Sequence, residues 1–436
     1  MLEFILSLAI IAFAIFLIDR IPVFQHQKIN TGTFKIIFLV KLVAGFLLYL
    51  IYTRYYTDRA TADIFRYFDD ADIMYQSLFT HPYDYLRMLT GYDSASPDLQ
   101  HYYDAMRNWY NTDMVFNDTR TMIRFSAFLK LFSLGTYYPH AVVMCFLSLC
   151  GLTALYRFFT SFIEGKELVL LVAVFLMPST LIWTSGLIKE AFLIFSLGML
   201  LNTLYNLIEK KEVTRRNFWQ LIIFLCCLFF IKPYIIFLLV PCIASWMLLK
   251  NNANTQFLKV VAVYFVYGCL VVFTAEFLFG KRIPKLLLDK QTEFFHVADR
   301  DHANSLIQIP PLTNAYSSLI VNAPNAIKNV IFRPSLFEVK NPLILLAAIE
   351  NLIITISLLF SLYFVFKSKF KIASYWVLIA FFFCMTIFVL TGLVTPILGA
   401  IVRYKVPALP FFLFVIISYL PEINLGNSIS NLIKKN

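Results

Sequence analysis

Apolar runs near bilayer length recur along the whole chain, separated mostly by short polar breaks. They fall near 2–18, 36–53, 138–158, 168–185, 187–207, 218–231, 234–249, 257–279, 342–366, 373–391 and 404–420. A helix needs about 20 apolar residues to cross the hydrocarbon core. The pattern therefore predicts an all-α, polytopic transmembrane bundle of about 11 spans, with residues 1–436 forming one integral membrane domain. Two stretches, 54–137 and 280–341, are too polar for lipid and must lie in water beside the membrane. The run 218–249 exceeds one ordinary span and is broken by Lys232-Pro233. It reads as two short spans meeting in a tight turn, because proline ends a helix and lysine prefers the interface. No internal repeat is evident.

The first polar stretch has its own periodicity. Asp63, Arg66, Tyr67 and Asp70 are spaced i, i+3, i+4, i+7, which lines one face of a helix, and Asp69 and Asp72 fall on a neighbouring face. Pro97–Asn111 has helical character, and Thr121–Leu134 is amphipathic, with Arg124 and Lys130 among Ile, Phe and Leu. Short helices lying along the membrane surface are expected here.

Composition agrees with the membrane reading: 60% of residues are hydrophobic, 14% are charged, and there are 46 phenylalanines in 436 residues. A soluble chain of this length would carry far more polar surface. The formal charge of +11 raises nucleic acid as a partner, but the basic residues lie in short breaks: Lys210, Lys211, Arg215 and Arg216; Lys367, Lys369 and Lys371; Lys434 and Lys435. That is the positive-inside pattern, and no basic face suited to nucleic acid exists. Counting spans against these charges gives an outer N-terminus, a cytoplasmic C-terminus and two outer loops, 54–137 and 280–341. The start, Met1-Leu2-Glu3, lacks the basic region of a signal peptide and reads as an uncleaved first span. All seven cysteines lie in apolar segments without metal-ligand spacing.

Candidate chemistry lies where charge meets these runs. Carboxylates as crowded as Asp63, Asp69, Asp70 and Asp72 repel, so one of them has a raised pKa or shares a cation. Either state suits catalysis: a base for a sugar hydroxyl, or a divalent cation (Mg or Mn) on Asp69 and Asp72 holding a diphosphate. The structural alternative is a solvated acidic helix paired with Arg59 and Arg66. Lys189 and Glu190 open a span and diverge by about 100° on a helix, so each needs its own partner, and Lys189 suits a phosphate. Arg333, beside rigid Pro334 and near Glu338, suits bidentate phosphate binding or a loop salt bridge. Glu350 would be costly against lipid and is expected to face the bundle. Arg403, Tyr404 and Lys405 open the last run, after Thr395-Pro396-Ile397-Leu398-Gly399 suggests a broken or re-entrant segment. Their charge suits a phosphate-bearing headgroup or interfacial anchoring. His296 and His302, with Asp299, Arg300 and Asp301, form a loose cluster without zinc spacing. No glycine-rich phosphate loop is present.

Three pieces carry a resemblance: Trp183-Thr184-Ser185-Gly186-Leu187-Ile188-Lys189-Glu190, Arg333-Pro334 with Glu338, and Arg403-Tyr404-Lys405-Val406-Pro407-Ala408-Leu409-Pro410-Phe411. With the span pattern, the chain resembles bacterial membrane proteins of surface-polysaccharide assembly, akin to the C-type glycosyltransferase superfamily and O-antigen polymerases. The resemblance implies a multi-pass enzyme of the bacterial cytoplasmic membrane. It would transfer a sugar or glycan from a polyprenyl-phosphate-linked saccharide to a glycan or lipid acceptor on the outer face, alongside partners in an assembly complex. Asp63, Asp69, Asp70 or Asp72 would match the acidic catalytic site of that superfamily's first large outer loop. Arg66, Tyr67, Glu190, Glu338, Glu350 and Tyr404 would support the site, while Lys189, Arg333, Arg403 and Lys405 hold the departing phosphate. The superfamily's loop usually follows the first span, whereas here it follows the second. The rival expectations are a transporter or flippase of a lipid-linked or anionic solute, and a non-catalytic assembly partner.

Overall fold

The structure, a computed structural model, describes residues 1–25, 29–55, 59, 62–109, 117–249, 256–300, 305–368 and 374–421. It is 81% helix, with no strands among the described residues. The chain begins with α1 (Leu2–Arg20) and α2 (Thr31–Leu50), then four short helices, α3 (Asp63–Thr80), α4 (Pro82–Thr90), α5 (Gln100–Ala105) and α6 (Asp118–Ser133). Next come α7 (Tyr138–Thr160), α8 (Glu167–Phe175), α9 (Pro178–Trp183), α10 (Lys189–Ile208), α11 (Arg215–Ile231), α12 (Pro233–Leu249) and α13 (Gln256–Phe273). The rest forms α14 (Ile283–Arg300), α15 (Tyr316–Phe332), α16 (Pro342–Lys367), α17 (Tyr375–Val394), α18 (Leu398–Tyr404) and α19 (Leu409–Tyr419).

Among the described residues, seven helices are long and apolar enough to cross a membrane, as in a helical membrane protein. The other apolar runs are helical but short or broken. The run at 168–185 divides into α8 and α9 at Pro178, and the run at 218–249 divides at Lys232, before Pro233. Proline opens a helix well but cannot continue one, since it lacks the N–H and crowds the preceding turn. The last run bends by 70° between α18 and α19. The break expected at 395–399 is present, since α17 ends at Val394 and α18 starts at Leu398, and a second turn at Lys405–Ala408 adds the bend. The basic residues Lys369, Lys371, Lys434 and Lys435 lie outside the described residues, as do Asp301 and His302.

The described chain divides into two compact units: Met1–Arg157 with Leu181–Tyr234, and Phe158–Thr180 with the described residues from Ile235 onward. In the first, the Glu3 carboxylate accepts the N–H groups of Tyr137 and Tyr138 at 3.1 and 2.9 Å, while Arg157 donates to the carbonyls of Pro22 and Val23. These contacts join like ends, so α1 and α7 run in the same direction. A Cβ on Gly198 would lie 2.0 Å from the Gly151 carbonyl, so α7 and α10 cross at a distance only glycine permits. α3 packs on α4 and α6, burying Phe65, Tyr67, Phe68 and Trp109.

In the second unit, α17 packs against α14, α15 and α19. Trp246, Trp376 and Phe158 meet edge to face at 4.6–5.8 Å. Lys166 donates to the last carbonyls of α19, those of Ile417 and Ser418, at 3.1 and 2.7 Å. A short antiparallel bridge, Ile307 N–H to Pro396 and Leu398 N–H to Ser305, ties the 305–307 segment to the start of α18.

Candidate functional site

The four crowded aspartates, Asp63, Asp69, Asp70 and Asp72, lie on α3, and their periodicity is helical as expected. Asp63 opens the helix, but its side chain lies outside the described residues. Asp69 accepts two hydrogen bonds from Arg59, at 2.9 and 2.7 Å, and that guanidinium also lies 4.0 Å over the Phe65 ring. Asp70 is buried and accepts the backbone N–H groups of Arg107 and Asn108 at 3.0 and 2.8 Å. Burial pushes its carboxyl pKa up, against the pull of those N–H groups. Asp72 receives Lys130 at 3.0 Å, and this buried ammonium lies 3.4 Å over Phe68. Burial lowers the Lys130 pKa, with Asp72 opposing.

The rest of this region is tied together in the same way. Arg66 donates from Nε to Asn108 Oδ1 at 3.0 Å, and Tyr67 is buried with its ring 5.5 Å from Lys189 Nζ. Lys189, the first residue of α10, reaches back to Asp118 at 2.7 Å and Thr119 Oγ1 at 3.0 Å. Glu190 is buried and faces Lys232 at 3.4 Å, so the two neighbours diverge to separate partners. Among the described residues no three His, Cys, Asp or Glu side chains converge as a metal site would require.

The second unit buries a polar chain inside its core. Glu350 and Lys405 are both buried, 3.6 Å apart. Glu350 therefore turns inward, as its cost against lipid requires. Its second oxygen accepts the Ser179 N–H at 2.6 Å. Lys405 donates to Asn351 Oδ1 at 2.5 Å, and Asn351 Nδ2 donates to the Pro334 carbonyl at 3.0 Å. Arg403 lies on α18, two residues before Lys405, and the Tyr404 ring packs edge-on to Phe294 at 5.8 Å.

Pro334 leads directly to an open cavity of about 560 Å³. Leu306, Ile307 and Gln308 form one side; Asn325, Lys328, Asn329 and Phe332 of α15 line another, followed by Arg333 and Glu338. Glu338 is held by the Ser335 N–H at 2.8 Å and hydroxyl at 2.9 Å, in a capping box, and accepts from Arg333 Nε at 2.9 Å. The carboxylate thus orients the guanidinium at the cavity wall. Two cations, one of them paired with the Glu338 carboxylate, and three carboxamides converge here, a set suited to an anion carried on a hydroxyl-rich group.

Arg333 and Glu338 were legible from sequence, but Asn325, Lys328, Asn329 and Gln308 were not singled out. The signal was present for three of them: 325, 328, 329 and 332 have the i, i+3, i+4, i+7 spacing of one helix face. The chain matches no family model, no curated protein and no solved structure.

Proposed function

We propose that this chain is a membrane glycosyltransferase or polysaccharide polymerase taking its sugar from a polyprenyl-phosphate-linked donor. The observation that carries the reading is the cavity, where Lys328 and Arg333 face the same open volume as Gln308, Asn325 and Asn329. The cations would hold the phosphate and the carboxamides the sugar hydroxyls. In the reaction, an acceptor hydroxyl oxygen bonds to the anomeric carbon, and the bond from that carbon to the phosphate oxygen breaks. The bonding pair leaves on the phosphate, where fixed positive charge lowers the barrier most. The hydroxyl proton passes to a base. Within the first unit, taken by itself, the resemblance offers the α3 aspartates as candidates, of which Asp69 and Asp72 are exposed and Asp70 is buried.

We further propose about 11 spans, with both long loops on the outer face of a bacterial cytoplasmic membrane. Contacts within each unit support this topology. The starts of α1 and α7 meet through Glu3, and the 161–166 turn meets the end of α19 through Lys166. Each pair belongs on one side under the positive-inside count.

Transport of a lipid-linked solute is the second reading, favoured by the buried charges Lys41, Glu190 and Glu350 in apolar helices. It requires movement of the labelled lipid without cleavage of its glycosidic bond. The deciding experiment supplies membranes with radiolabelled lipid-linked sugar and follows glycan products. R333A and K328A are each expected to reduce transfer by about 10²-fold or more, the scale for losing one charge-stabilising group. Full transfer by the double variant would sink the reading.

A further inference from the structure

The Glu350–Lys405 pair lies where burial is costly, and its hydrogen bonds run toward the cavity. Breaking such a pair destabilises a protein, but replacing both members with apolar groups is often neutral. Stability alone therefore gives no reason to keep it. What an apolar pair cannot do is fix the orientation of a carboxamide. An ammonium only donates, so Lys405 holds Asn351 with Oδ1 turned toward Nζ, at 2.5 Å. Nδ2 then points to the Pro334 carbonyl, 3.0 Å away. Pro334 directly follows Arg333, whose guanidinium lines the cavity. On the far side, the Ser179 N–H fixes Glu350 at 2.6 Å. The chain of bonds thus links the start of α9, α16 and the turn after α18 to one corner of the cavity.

We infer that Lys405 and Glu350 are positioning residues for this cavity, acting through Asn351 on the Arg333-Pro334 turn. Neither lines the cavity itself. The inference rests on the cavity being the phosphate site of the function proposed above, but its structural core can be tested without any ligand. Two variants of the full chain in lipid nanodiscs serve: N351L, and the double variant E350Q/K405M. The double variant leaves no uncompensated charge, and the carboxamide introduced by E350Q can still accept the Ser179 N–H. Amide exchange is followed in the 333–341 segment, and affinity for inorganic pyrophosphate by calorimetry.

Both variants are expected to exchange faster at 333–341, with α17 and α19 unchanged, and to bind pyrophosphate at least ten-fold more weakly. R333A provides the reference for loss of the cation. Unchanged exchange at 333–341 in both variants would overturn the inference. So would faster exchange spread evenly over α16 to α19, which marks a merely structural pair. If the parent protein binds no pyrophosphate, the phosphate reading fails, and the exchange data still decide whether the pair positions the turn.

Discussion

The two polar inserts invite opposite expectations. The first, residues 54–137, concentrates its charge: five charged side chains lie between Asp63 and Asp72. The second, 280–341, crowds its charge into 281–301 and leaves only Lys328, Arg333, Glu338 and Lys340 beyond it. Yet Asp69, Asp70 and Asp72 each meet a partner within the first unit, whereas Arg333 and Glu338 pair at the wall of an open cavity that Lys328 also lines. Crowded charge lowers its own energy by finding partners as the chain folds. A binding site needs something different, polar groups aimed at space that a ligand can fill. Density of charge in sequence is therefore a weaker guide to function than convergence in space.

The largest test of this contrast is Asp70. If it fastens the 106–109 segment, D70A takes the acceptor from the N–H groups of exposed Arg107 and buried Asn108, costing about 1–3 kcal/mol, chiefly at the buried one. The measurement is loss of amide protection at Arg107 and Asn108, with a lower melting temperature. Retained protection would return Asp70 to the list of available carboxylates. A smaller effect comes from pH, because two carboxylates of this insert shift in opposite directions. Burial raises Asp70, so the folded state binds its proton more tightly than the unfolded state does. Its contribution is present at low pH and is lost as pH rises through the raised value. Asp98 is lowered, chiefly by its hydrogen bond from Arg87. Its contribution is present above the ordinary carboxylate range and is lost as pH falls toward the depressed value. Acidification below about pH 4 should thus loosen the Arg87 junction of α4 before the Asp70 anchor. Amide exchange at both places, corrected for intrinsic rate, would reveal the order.

Most of the helical framework was legible in the chain, because apolar run length and proline position act locally. The break at Lys232 follows from Pro233, and α3 and α6 from their helical spacing. Partner choice was not legible, because it depends on distant segments. Lys189 meets Asp118, 71 residues earlier, and Asp70 binds backbone groups that carry no signature of their own. The cavity was half legible. Arg333 stood out beside a proline, but Lys328 and its asparagines were diluted among the apolar residues of α15. There the helix period marks a face without saying that it borders open space.

The smallest effect on stability belongs to Asp69, and for that reason it is the sharpest probe of chemistry. Its ion pair with Arg59 is about half exposed on both sides, and such pairs contribute about 0–1 kcal/mol. D69N should leave the melting temperature nearly unchanged. D72N should cost more, since it removes the carboxylate that faces buried Lys130. A loss of glycan transfer in D69N, on the order of the 10²–10⁴-fold expected for a missing general base, could then not be blamed on misfolding. It would make α3 a reactive element as well as a packed one. Full transfer in both D69N and D72N would leave the acidic helix a device of folding alone, and the contrast between a self-paired insert and an open one would be complete.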